Sequence, residues 1–200
     1  PLLEALGGLR VRFIGDYLRE MKRQAERGRC LHFEHGDRCT EHISAHSIQN
    51  GGQLANIAES GHVYRIGGDF SILKKTGGKL APKKVGRNDV STFLGFCGRH
   101  DTQLFRPIDK SHLIPTHQQV ALYAYRSLCR EYFVKENAVR TMTSMRGHEA
   151  ITSEQSVLFE SVLKGFNIGL EGLKYHKQYY DDAIANSRFE QFKYTVFLAQ

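Results

Sequence analysis

Residues 91–105 read STFLGFCGRHDTQLF, and the fold turns on how they are taken. Ser91 and Thr92 are of the residue types that cap helices, so the stretch predicts a helix holding Cys97 to Phe105, which Pro107 ends. Cys97 and His100 open that helix as a Cys-x2-His pair, and Asp101 follows directly. Two such soft or borderline ligands make half of a tetrahedral zinc site. The other half lies upstream as Cys30-x8-Cys39, with His32, His35 and His42 close enough in sequence to replace one cysteine. The fourth cysteine, Cys129, sits inside ALYAYRSLCREYF, a helical pattern in which it reads as an ordinary buried thiol.

Between the two ligand pairs the chain changes character several times. EHISAHSI at 41–48 reads as a short strand, and it carries His46 near its end. A histidine in that position serves as a general base when a neighbour fixes its tautomer. GGQLANIAES at 51–60 reads as one or two helical turns, and HVYRI at 62–66 as a strand. The following FSILKKTGGKLAPKKVGRN, residues 70–88, holds Lys74, Lys75, Lys79, Lys83, Lys84 and Arg87 and no acid. Gly77, Gly78 and Pro82 make it a loop or a hairpin. It is either a solvated surface loop or an arm that contacts phosphates, each contact adding to the salt dependence of binding.

The flanks are helical. Residues 3–27 predict a helix whose second half is clear and which stops at Gly28. Residues 118–146 and 153–187 predict two long helices, the second starting from a Ser153 cap. Gly165, Gly169 and Gly172 weaken its middle and mark a kink or a close helix contact. The closing FKYTVFLAQ, 192–200, reads as a strand without a partner. The expected architecture is α+β. An N-terminal helix covers 1–28, a metal core 29–112 with a basic insertion at 70–88, a helical region 113–187, and a terminal strand 188–200. The long helices offer faces for a homodimer or another protein partner.

Composition agrees with one domain: 200 residues, 24% charged and 40% hydrophobic, with a net charge of +7. The excess of base favours polyanionic partners. No apolar run reaches the roughly 18 residues that cross a bilayer, and PLLEALGGLRVRF is a poor signal peptide. The chain does not begin with Met, which suggests a processed chain or a fragment. Ten histidines, several of them beside the cysteines, point to a metal site in a reducing, cytoplasmic setting rather than to two disulfides. His42-x3-His46 is followed by Ile43 where a zincin needs Glu, and no P-loop, dinucleotide or Gly-x-Ser-x-Gly signature is present.

A cysteine pair, a strand with His, a hairpin, and a helix opening on a ligand pair and an acid form an ordered set. Through Cys30, Cys39, Ala45-His46, Thr92 and FCGRHD at 96–101, residues 29–110 resemble the HNH endonuclease family. That family has a ββα-metal (treble-clef) core. The resemblance implies hydrolysis of DNA phosphodiesters, with RNA as the other polyanion in view, in phage defence or a mobile element. It implies structural Zn2+ on Cys30, Cys39, Cys97 and His100. His46 stands at the general-base position and Thr92 at the spacing of the family's middle asparagine. Asp101 stands where the family has a ligand for a catalytic Mg2+ or Mn2+, with His42 or Asp37 as helpers. The chain departs from the family at Ala45, where an acid or His is usual, at Thr92, and in the basic insertion. A catalytically inactive zinc-stabilised nucleic-acid-binding module is the alternative.

Overall fold

A computed structural model describes residues 11–34, 38–67 and 76–197. Helix α1, Val11–Glu26, ends as its sequence predicts: Gly28 adopts φ +58°, and a Cβ there would meet the His42 ring at 3.2 Å. The chain then runs beside the strand β4, Thr92–Phe96, through Arg29 N–H to the Leu94 carbonyl and Leu31 N–H to the Gly95 carbonyl, both 2.9 Å. Strand β1, Ile43–His46, lies antiparallel to β4, with Ala45 opposite Phe93 and His46 opposite Thr92. Helical turns at Asn50–Leu54 and Ala55–Ile57 follow. Strands β2, His62–Gly67, and β3, Ala81–Gly86, then make a separate two-stranded ribbon, its Val63 and Val85 side resting on Leu54 and Val90. Helix α2, Gly98–Asp109, is followed by two long antiparallel helices, α3 (His117–Ser144) and α4 (Ser153–Ala185).

The α+β class and the helical flanks therefore hold. Four local expectations need correction. Ser91 and Thr92 do not cap a helix: Ser91 turns at φ +60° and Thr92 opens β4. The aromatic TFLGF run pairs with β1 and buries Phe93 and Phe96, which outweighs the local cap signal. The cap is Cys97, whose Sγ accepts the His100 N–H at 3.4 Å. Pro107 does not end α2. It lies in the last turn, where its missing N–H costs one bond, and the helix runs on to Asp109. Helix α4 is capped by Thr152, not Ser153, in a reciprocal box with Gln155. The expected terminal strand at 188–200 is absent from its described part. Phe189–Gln191 form a single 3-10 turn, and Phe192 stacks on Tyr180 at 4.5 Å.

The main core lies between the small sheet and the helices. Phe96, Phe105, Ile108, Leu122, Tyr125, Cys129 and Phe133 are buried there, with Cys30 and Cys97 at its rim. Phe96 and Phe105 meet edge to face at 5.2 Å, as do Phe93 and Phe133 at 5.7 Å. This packing fixes β4 and the start of α2 against α3. Among the described residues no helix is long and apolar enough to cross a membrane.

Candidate metal centre

The two ligand pairs converge. Cys30 and Cys39 come from the loop after α1, Cys97 caps α2, and His100 lies one turn into it. One donor atom from each lies within 4.8 Å of the other three. Cys30 Sγ and Cys39 Sγ stand 3.3 and 3.5 Å from His100 Nδ1. A tetrahedral zinc with Zn–S of about 2.3 Å and Zn–N of about 2.05 Å requires S···N edges of about 3.6 Å. The donors thus fit zinc in number, type and spacing, and His100 presents Nδ1 as its ligand atom. The four cysteines are free thiols, so the two-disulfide alternative is not realised.

Electrostatics separates the three thiols. Burial pushes Cys30 up, and Cys39 is raised to about 11 by desolvation and its neighbouring sulfurs. Burial also acts on Cys97, but the N–H groups of His100 and Arg99 and the two neighbouring thiols outweigh it, and its pKa falls. Cys97 is thus the most readily ionised of the three thiols, favoured by the helix N-terminus that it caps. His100 is lowered by burial and by Arg99, which keeps its ring neutral and ligand-competent. His32 is no ligand: its ring stacks on His100 at 4.0 Å, and burial holds its pKa near 4. His42 packs against Gly28. His35 and Asp37 lie outside the described residues.

A second constellation lies on the other side of α2. His46 and Thr92 face one another across β1 and β4, and the Thr92 hydroxyl donates to the Asp89 carbonyl at 3.0 Å. His46 lies close enough to lower the pKa of Asp101, whose larger shift is upward and comes from burial. His46 Nε2 and Asp101 Oδ1 are both buried with no hydrogen-bond partner. So the structure pairs His46 with Thr92 across the sheet and leaves His46 within electrostatic reach of Asp101. It adds a residue that the sequence reading missed. Arg126 of α3 is 2% exposed, holds Asp109 through a two-bond fork at 2.8 and 2.6 Å, and stands 3.9 Å from Asp101. Its guanidinium lies over the Phe105 ring at 4.0 Å. The signal was present: Arg126 is a charge on the apolar stripe of Leu122, Tyr125, Cys129 and Phe133.

Arg126 matters for the catalytic ion. Mg2+ and Mn2+ take several oxygen ligands. Among the described residues the Cys3His group is the only set of three or more Cys, His, Asp or Glu side chains that converge. Around Asp101 a guanidinium, not a carboxylate ring, supplies the neighbouring charge. Among the described residues no carboxylate cluster for Mg2+ or Mn2+ gathers around Asp101, and the expected helper Asp37 lies outside them.

The described part of the basic segment contributes β3, which pairs with β2 in the ribbon. Tyr64 stands opposite Lys84 and Arg65 opposite Lys83. Lys79, Lys83 and Lys84 are exposed and Arg87 is half-buried just after β3. Lys74 and Lys75 lie outside the described residues. No protein-family profile, curated protein or solved structure matches this chain.

Proposed function

We propose that this chain is a zinc-pinned nucleic-acid-binding protein with a treble-clef core, its β2–β3 ribbon serving as the arm that meets phosphates. The observation carrying this reading is the ribbon itself. It carries Tyr64 paired with Lys84 on one face and Arg65 paired with Lys83 on the other, near Lys79 and Arg87, without an acid in its described strands. A two-stranded ribbon of this kind fits the DNA major groove, and a cationic, aromatic surface also suits single-stranded RNA. The zinc cluster fixes the β1–β4 sheet from which the ribbon emerges. Zinc's chemistry there is structural, since all four donors come from the protein.

The test is fluorescence anisotropy with labelled duplex DNA and single-stranded RNA at several salt concentrations. Lys84→Glu with Arg87→Glu weakens binding and lowers the slope of log K against log salt by about one per lost contact. Binding that ignores both salt and these substitutions overturns the reading.

A second reading, an HNH-type endonuclease, draws on one specific observation: His46 Nε2 and Asp101 Oδ1 are both buried without a partner and within electrostatic reach of each other. Buried polar atoms without partners mark a site that something else completes. In this reading His46 Nε2 accepts the proton of the attacking water. Plasmid nicking with Mg2+ or Mn2+ that is lost in His46→Ala, at unchanged zinc content and DNA affinity, establishes it. Wild type and variant that behave alike leave the binding role alone.

A further inference from the structure

Helix α4 is the longest element, 33 residues, yet only Leu163, Ala183 and Ile184 on it are buried. The residues it turns toward α3 run through Leu163, Leu170, Lys177 and Ile184. On the other side Leu158, Ile168 and Tyr175 are 68%, 66% and 69% exposed, with Val157, Val162 and Tyr179 beside them. An exposed apolar strip of this length on a soluble helix marks a contact surface.

The strip has a coiled-coil pattern. Leu158, Gly165, Gly172 and Tyr179 recur every seven residues, and so do Ser161, Ile168 and Tyr175, offset by three. A Cβ at Gly165 or Gly172 would meet nothing within 4 Å, so neither glycine is required by packing inside this chain. Glycine is a poor helix former, and these two sit mid-helix. Their positions make sense if another backbone comes close.

The charges beside the strip choose what comes. We infer that the occupant is the α4 helix of a second copy, packed antiparallel about a two-fold axis near residues 166–167. In that register Gly165 faces the partner's Ile168, Ser161 the partner's Gly172, and Leu158 the partner's Tyr175. Each large side chain at the centre thus finds a glycine hole, and the symmetry repeats each contact. The same register sets Lys164 against the partner's Glu171, twice, at the flanking positions that pair in antiparallel coiled coils. A parallel pair would instead set Lys164 beside the partner's Gly169 and Glu171 beside the partner's His176, with no Lys–Glu match, and would face Gly165 with Gly165 and Ile168 with Ile168. The helix is thus self-complementary in shape and in charge in one orientation only.

Sedimentation of the full 200-residue chain over micromolar concentrations tests this. The expected species is a dimer. Ile168→Glu yields a monomer with unchanged zinc content and helical circular dichroism. Lys164→Glu and Glu171→Lys each weaken the dimer about five-fold, through two exposed pairs apiece. The double swap K164E/E171K restores it. A chain that stays monomeric at all concentrations overturns the proposal. So does a dimer that survives Ile168→Glu, or a double swap that fails to restore association.

Discussion

Single side chains set the internal balance of this molecule, and Arg126 is the clearest case. It is buried against Phe105, forked onto Asp109 and close to Asp101. Its removal leaves the largely buried Asp101 and the half-buried Asp109 without their cation. Arg126→Met is therefore expected to cost about 3–5 kcal/mol. Adding Asp109→Asn should return part of that loss, and urea unfolding of the single and double variants measures both. Glu20 makes a milder, pH-dependent contribution. Arg23 and Gln24 donate to it at 2.8 and 2.6 Å, and with Ser144 of α3 they hold its pKa down to about 2 from an ordinary 4.5. A lowered carboxyl stabilises the fold above its unfolded value and loses that contribution as pH falls. Glu20→Gln should thus cost about 1.5 kcal/mol at neutral pH. The difference from wild type should close between pH 4.5 and about 2, followed by thermal melts across that range.

The elements show what a sequence can and cannot disclose. Helices α3 and α4 were legible because their apolar period is long and continuous. The zinc ligands were legible because Cys97-x2-His100 announces a helix start, and the four donors do converge. β4 was not, since Ser91 and Thr92 mimic a cap and only pairing with β1 shows that TFLGF is extended. Arg126 was not, because its partners Asp101 and Asp109 lie on another helix. The glycines of α4 read as a kink or a close contact. Gly169 is such a close contact, since a Cβ there would meet Lys135 of α3 at 3.5 Å, while Gly165 and Gly172 face open space, which points to contact with a second helix. Two substitutions separate helix propensity from association. Thr152→Ala removes the cap of α4 and should cost about 1 kcal/mol in the monomeric Ile168→Glu background. Gly165→Ala in that same background should gain about 0.8 kcal/mol, because the methyl meets open space. In the wild-type background the same alanine should weaken the dimer. Chemical denaturation beside sedimentation resolves the opposite signs.

The whole molecule is two supports sharing one core. The helices α3 and α4 pack along each other, while the small β1–β4 sheet is flanked by the Cys3His cluster. Polar contacts add to the aromatic core that joins the halves: the Tyr125 hydroxyl, which donates to Asp181 at 2.6 Å, lies 3.4 Å from the Leu31 carbonyl, and Lys177 holds Asp181 at 2.8 Å. Arg29 reaches across to Asn137 at 3.0 Å and stacks on Phe133 at 4.3 Å. Removing zinc should therefore damage one half first. A chelator is expected to withdraw one zinc per chain and lower the melting temperature, with most helical circular dichroism retained. Hydrogen exchange should speed at the amides of Leu31, Ala45 and Phe96, while those of Leu122 and Cys129 stay protected. Uniform loss of protection would show instead that the helices depend on the metal. Reloading carries its own signature. Cys30 and Cys39 have raised pKa values and are protonated at neutral pH, so binding must displace their protons. Zinc affinity should rise steeply with pH, and calorimetry in buffers of different ionisation enthalpy should count at least about two protons released per zinc, from Cys30 and Cys39. Cys39→Ser, which removes one of those protons and one ligand, should abolish tight binding and leave the helical half standing.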